Sequence, residues 1–183
     1  MLLPSRRATV FMIAAPAILT LSRTSWAAGA EPATPRQMEG PYYKAGAPER
    51  QMLIEREGGP RLVLTGQVIG PDCRPVPGAL LDFWHADEAG RYDNRGWGFR
   101  GRQRADGEGR YRLETVVPGT YPGRTRHLHV KVGLPDRPPM TTQLYFPDEP
   151  GNRRDGLFRP ELLMRVAQVS GGKDASYDFV LRV

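Results

Sequence analysis

Along most of the chain apolar and polar residues alternate with a period of two. This is the spacing of a half-buried β-strand, not of a helix. Arg61–Ile69 alternates in this way, and Ala79–Asp87 is a largely apolar run carrying Phe83 and Trp84. Gly109–Val116 alternates cleanly, with Tyr111, Leu113 and Thr115 on one face and Arg110, Arg112 and Glu114 on the other, which predicts a core position for Tyr111. His127–Gly133 sets Leu128, Val130 and Val132 on the face opposite His127 and His129. Met140–Phe146 and Ser176–Val183 complete the predicted strands, and Glu161–Val166 is expected to form a helical turn. Turn residues separate these runs: Gly70-Pro-Asp72, Asp106-Gly-Glu-Gly109, Pro118-Gly119 and Pro135-Asp136. Short strands with frequent turns predict an all-β fold, a β-sandwich of mainly antiparallel strands over residues 61–183. Residues 31–60 are rich in Pro, Gly and charge and predict an extended N-terminal arm.

The first 30 residues differ from the rest. Ser5-Arg6-Arg7 precedes an apolar run from Val10 to Leu21, and the small residues of Ser25-Trp-Ala-Ala-Gly-Ala30 follow. A basic start, a short apolar stretch and an A-x-A-like end predict an export signal, with cleavage after Ala27 or Ala30. The apolar run is too short for a stable membrane span. The paired arginines point to the twin-arginine route, which carries folded proteins to the periplasm or beyond and so suits any cofactor inserted before export. The formal charge of +6 drops to +3 without this segment, because Arg6, Arg7 and Arg23 leave and no acid does. The remaining basicity has no long Lys/Arg tract with interleaved aromatics, which argues against a nucleic-acid partner. Cys73 is the single cysteine, so no intrachain disulfide forms; it reads as a small buried residue rather than a nucleophile.

The chain holds three histidines, and two of them form His127-Leu-His129. In a strand, residues i and i+2 share a face roughly 7 Å apart, so two imidazoles in this register can converge on one metal ion. Two phenols, Tyr92 and Tyr121, are the candidate companions. Phenolates are hard oxygen donors and shift the preference from zinc and Cu(I) towards ferric iron. His85 follows the core-like Phe83-Trp84 and reads as a structural or supporting histidine. Tyr42 and Tyr43 either line a pocket mouth or simply pack. The arginines at 95, 100, 102 and 104 read as a solvated loop, with steering of carboxylated substrates as the functional alternative.

Several motifs in order resemble the intradiol ring-cleavage dioxygenases. They are Glu39-Gly-Pro-Tyr-Tyr43, Pro75-Val-Pro-Gly-Ala79, Asp82-Phe-Trp-His-Ala-Asp87, Gly90-Arg-Tyr92, Asp106-Gly-Glu-Gly-Arg-Tyr111, Pro118-Gly-Thr-Tyr121, His127-Leu-His129 and Thr141-Thr-Gln143-Leu-Tyr-Phe146. Each is weak alone; their joint order over Glu39 to Val183 is specific. The Gln143 segment and Tyr177–Arg182 are most similar to the protocatechuate branch. The resemblance implies a single non-haem Fe(III) held by Tyr92, Tyr121, His127 and His129, and no other cofactor. It implies that Tyr121 leaves the metal when substrate chelates, and that Arg124 and Gln143 stand near the substrate ring. Only residues 122–126 separate the second tyrosine from the first histidine, fewer than in well-studied members, and Arg126 competes with Arg124 for the substrate-facing role.

The implied reaction joins a catecholic substrate and O2. Catechol binding removes two protons; a metal-bound hydroxide can take one and the departing Tyr121 phenolate the other. Cleavage between the two hydroxyl-bearing carbons gives a cis,cis-muconate-type diacid. A guanidinium stays charged at working pH and can stabilise negative charge developing on the ring. Two other readings remain open at this level. The turn grammar also resembles secreted transthyretin-like sandwich modules that bind without catalysis, since fold alone does not specify function. A His-x-His copper or zinc site is the third. The resemblance is compatible with a homo-oligomer and does not specify one.

Overall fold

The computed structural model of the protein describes residues 31–54 and 58–182. The expected export signal over 1–30 lies outside the described residues. Among the described residues nine strands are formed: β1 Arg61–Ile69, β2 Leu80–Trp84, β3 Arg100–Arg104, β4 Arg110–Val116, β5 His127–Gly133, β6 Met140–Tyr145, β7 Arg165–Val169, β8 Gly172–Ser176 and β9 Phe179–Val180. One sheet has the order β4-β1-β8-β7, with β9 also paired to β1; the other has the order β3-β2-β5-β6. Both β8 and β9 run parallel to β1, and the other pairs are antiparallel.

The two sheets meet through the faces that the alternation marks. Leu62, Leu64, Tyr111 and Leu113 come from the first sheet; Leu81, Phe83, Leu128, Val130 and Leu144 come from the second, all in one buried cluster. Phe83 and Tyr111 touch across the sandwich with ring centroids 5.8 Å apart. The second sheet also buries its other face. Its cross-strand register sets Arg100, Trp84, His129 and Gln143 in one row. His127 stands opposite Tyr145 in the next row. The row on the far side is Arg102, Asp82, Lys131 and Thr141.

The arm covers this second face. Gln37 N–H bonds the Thr141 carbonyl at 2.8 Å, Lys131 pairs with Glu39 at 2.5 Å, and the Tyr43 hydroxyl donates to Asp82 at 3.0 Å. Further on, Arg50 N–H bonds the carbonyl of Arg102 on β3, and Leu53 N–H bonds the carbonyl of Glu114 on β4. The arm therefore ties the two sheets together along one side and caps both edge strands, which would otherwise present unpaired backbone groups. Gly101 is required for this passage, because a Cβ there would lie 2.5 Å from Leu53 Cδ2 and 2.8 Å from the Arg50 carbonyl.

Several sequence expectations need correction. Arg100 does not lie in a solvated loop: it is 2% exposed on β3. Cys73 is exposed, not buried. The helical turn expected at Glu161–Val166 is a 3-10 turn at Pro160–Leu162, and Arg165 already opens β7. The strand expected over Ser176–Val183 is split between β8 and β9, and Ala79–Asp87 contributes only Leu80–Trp84. β3, β7 and β8 were not expected as strands. β3 and β8 are mostly polar, and β7 carries Val166, Ala167 and Val169 but stays largely exposed, so none shows the regular alternation of a half-buried strand.

Candidate metal and substrate site

Two loops and one strand supply the candidate donors. Tyr92 lies in the turn after β2, Tyr121 in the segment after β4, and His127 and His129 on β5. The two loops touch backbone to backbone. Asp87 accepts the Gly119 N–H at 2.7 Å, and a Cβ at Gly90 would meet the Thr120 carbonyl at 2.1 Å. Gly90 also has φ of 80°, a left-handed conformation that favours glycine. This glycine joint sets Tyr92 beside Tyr121, with ring centroids 6.2 Å apart and planes at 83°.

Arg100 and Asp93 hold the Tyr92 loop. Asp93 accepts N–H bonds from Arg95, Gly96 and Gly98, which keep its carboxyl below its usual range. Its carbonyl accepts Arg100 Nε and Nη2 at 3.1 and 3.0 Å. Neither role was visible in the sequence. The only available signal was the Asp-Asn-Arg-Gly-Trp-Gly turn chemistry.

Three donor atoms converge. His127 Nε2 lies 3.2 Å from His129 Nε2 and 3.5 Å from the Tyr92 hydroxyl. Donors each ~2.1 Å from a shared ion lie roughly 3.0–3.5 Å apart, so the spacing fits a metal. The tautomer fits too. His127 Nδ1 lies 2.6 Å from the Thr125 carbonyl and must donate to it, which leaves Nε2 as a lone pair. Nδ1 of His129 is buried without a partner, and its ring stacks on Trp84 at 4.8 Å. Burial, then the charge of Arg124, lowers His127 to about 4; burial, then His127 and Arg124, holds His129 well below its ordinary value. Both rings are neutral and ready to ligate. Burial pushes Tyr92 up to about 12, against Arg124 and Arg100, so this phenol ionises near neutral pH only beside a strong cation. Among the described residues no three His, Cys, Asp or Glu side chains gather as a metal site.

Tyr121 joins through Tyr42. The Tyr42 ring stacks on Tyr92 at 4.4 Å and meets Tyr121 edge-on at 5.6 Å, and its hydroxyl donates to the Tyr121 hydroxyl at 3.1 Å. Tyr42 therefore belongs to the site, whereas Tyr43 packs on Trp84 and anchors the arm. His85 stands apart, with Nδ1 on the Ala86 carbonyl and Nε2 accepting from Thr115.

The two candidate arginines separate clearly. Arg124 reaches Gln143 Oε1 at 2.6 Å and Asp155 Oδ2 at 2.9 Å, and its charge bears on Tyr92, His127 and His129. Arg126 is held by Glu149 at 2.7 Å and by the Pro118 carbonyl. Gln143 is fully buried opposite His129.

A family model described as Dioxygenase matches residues 38–183. The chain belongs to the intradiol ring-cleavage dioxygenase family. It is 32% identical to catechol 1,2-dioxygenase 2 of Acinetobacter lwoffii over 150 residues, covering 67% of this chain and 54% of that protein. Against the protocatechuate 3,4-dioxygenase beta chain of Burkholderia cepacia, identity is 34% over 119 residues, covering 55% and 51%. The chain thus spans about half the length of these curated relatives. Among solved structures, the dioxygenase domain of a dioxygenase–carbohydrate-binding fusion from Streptomyces sp. SirexAA-E superposes with a TM-score of 0.81 at 51% identity, covering 83% of this chain and 99% of that one. The 3-chlorocatechol 1,2-dioxygenase of Rhodococcus opacus 1CP gives 0.74 at 31%, covering 81% and 72%. This intradiol dioxygenase family member shares with them the β-sandwich.

Proposed function

We propose that this chain binds one non-haem ferric ion through Tyr92, Tyr121, His127 and His129 and cleaves a catecholic ring between its hydroxyl-bearing carbons. The observation that carries the reading is the convergence of the Tyr92 hydroxyl with two neutral imidazole nitrogens, at 3.5 and 3.2 Å, on the outer face of the second sheet of a family sandwich. The relatives are named for catechol, chlorocatechol, hydroxyquinol and protocatechuate, whose common part is a ring with adjacent hydroxyls. A bound ferric ion would supply the electron-withdrawing centre that makes a chelated catecholate reactive towards O2.

The side chains have separable tasks. Tyr121 Oη accepts one catechol proton, and the Tyr42 hydroxyl beside it supports that oxygen at 3.1 Å. Arg124 stays charged and faces the negative charge that develops on the ring. Gln143 holds Arg124 in place. Both histidines are almost completely buried, while Tyr92 and Tyr121 are partly exposed. The product of this chemistry is a cis,cis-muconate-type diacid. Export by the twin-arginine route through residues 1–30 belongs to the same proposal. Among the described residues no helix is long and apolar enough to cross a membrane.

The test is direct. Purified protein from iron-replete medium should contain one iron per chain, absorb visible light as a ferric phenolate, and consume one O2 per catechol with a muconate-type product. Colourless protein, or protein that carries copper or zinc in preference to iron, would overturn the reading.

A further inference from the structure

We propose that Tyr145 is a positioning residue. Its hydroxyl lies between the N-terminal arm and Gln143 and sets the orientation of the Arg124 guanidinium. This inference rests on the functional reading above for the task of Arg124, and on local geometry for how Arg124 is held.

Arg124 spends two of its five N–H donors on fixed acceptors. Nε bonds Asp155 Oδ2 at 2.9 Å, and Nη2 bonds Gln143 Oε1 at 2.6 Å. Asp155 is itself immobile, because its carboxylate also accepts the Thr125 and Leu157 N–H groups at 2.9 Å each. Burial raises the Asp155 carboxyl, but these N–H groups and Arg124 outweigh burial and hold it below its usual range. Gln143 is fixed at both ends of its amide: Nε2 donates to the Met38 carbonyl at 3.0 Å, and Oε1 faces both Arg124 and the Tyr145 hydroxyl.

Tyr145 is where these restraints meet. Its single O–H faces three acceptors: Gln37 Oε1 at 2.7 Å, the Leu157 carbonyl at 2.9 Å and Gln143 Oε1 at 3.1 Å. The Gln37 amide cannot turn round to help, since its Nε2 donates to the Leu157 carbonyl at 2.6 Å. One proton cannot satisfy three acceptors. The oxygen-rich pocket therefore favours the cation beside it: Arg124 donates to the same Gln143 Oε1 that the Tyr145 hydroxyl faces. The ring beneath is fully buried on β6 and packs edge-on against Phe158 at 5.3 Å, so the hydroxyl has a rigid base. Gln37 links this cluster to the arm. Docking of the arm and orientation of the guanidinium are thus one event, not two.

Tyr145→Phe removes the hydroxyl and keeps the ring. In the iron-loaded protein, iron content, visible absorption and KM should stay within about 2-fold, while kcat falls ~10- to 100-fold, the size of effect expected when a reacting group is misplaced by about 1 Å. In an Arg124→Lys background the same substitution should cost little more, because the group it orients has gone. In metal-free protein, the Arg124 Nε–H resonance should be sharp and slowly exchanging in the parent and broadened in Tyr145→Phe. Gln37→Leu should reproduce part of that broadening. The proposal is overturned if kcat is unchanged, if the loss is equally large in the Arg124→Lys background, or if iron content and Tm fall together with activity. Parent protein that consumes no O2 with any catechol would remove the functional reading alone, and the resonance of Arg124 would still decide the positioning.

Discussion

Tyr42 lies face to face with Tyr92, at 4.4 Å and 14°, while its hydroxyl donates to Tyr121 at 3.1 Å. A single arm residue therefore touches both candidate phenol ligands, which come from different loops. The hydrogen bond to Tyr121 raises the Tyr42 phenol above its ordinary value. Tyr42→Phe should keep the stack, the fold and the iron. It should shift the visible band and slow substrate binding several-fold, since the Tyr121 oxygen loses its donor. Rapid-mixing spectrophotometry with catechol checks this, and an unchanged binding rate would separate Tyr42 from the departure of Tyr121.

The ligand set makes a graded prediction. Tyr92→Phe and His127→Ala each remove a converging donor and should weaken iron binding ~10-fold or more, with loss of colour. Tyr121→Phe should retain iron with a shifted band. Metal analysis beside the visible spectrum distinguishes the two classes. Unchanged spectra for both tyrosine variants would mean that neither phenol binds the metal.

Gly90→Ala tests the joint between the loops. The added methyl meets the Thr120 carbonyl at 2.1 Å on a residue with φ of 80°. Destabilisation of about 2–4 kcal/mol is expected, together with weaker iron binding, because the joint sets both tyrosines. Denaturant unfolding and iron titration read the two effects on one variant.

The arm clasp offers another. Burial, then Asp82, pushes the Tyr43 phenol far above its ordinary value, and burial raises Asp82 as well. Tyr43→Phe leaves a buried carboxyl without its donor and should cost about 1–3 kcal/mol. Proteolysis near residues 37–54 should quicken in this variant before the sandwich itself unfolds.

His85 supplies a pH signature. Burial lowers its imidazole to about 4 from an unfolded value near 6.5. Between these values the unfolded chain binds a proton that the folded chain refuses. The stability due to neutral burial is complete above about pH 6.5 and is lost as pH falls towards 4, by roughly 3 kcal/mol in all. The difference in Tm between the parent and His85→Gln should follow that window. A pH-independent difference would mean that His85 titrates normally.

Some of this was readable without coordinates. The alternation in β1, β4 and β5 follows from burying one face against a partner sheet, so the core residues and the shared face of His127 and His129 were visible in the spacing. β3 and β8 were silent because they are mostly polar, and β7 because its short Val-Ala-Gln-Val run stays largely exposed and shows no regular alternation. Arg100 shows the limit: its charge argued for solvent, yet the Asp93 carbonyl offers two acceptors inside. Cys73 errs in the opposite direction, a residue type usually buried that lies exposed in a turn.

By itself the sequence determined an all-β sandwich, an imidazole pair on one strand face, two phenols at family spacing, and the turn residues between strands. These are local facts, set by periodicity and by backbone conformations that few residues adopt. Tertiary structure alone decided that Arg124 and not Arg126 turns to Gln143, that Tyr42 belongs with the donors and Tyr43 with the arm, and that Asp155 and Tyr145 stand behind the guanidinium. Each of those depends on which acceptors other strands bring within about 3 Å, and distance across the chain leaves no period in the sequence.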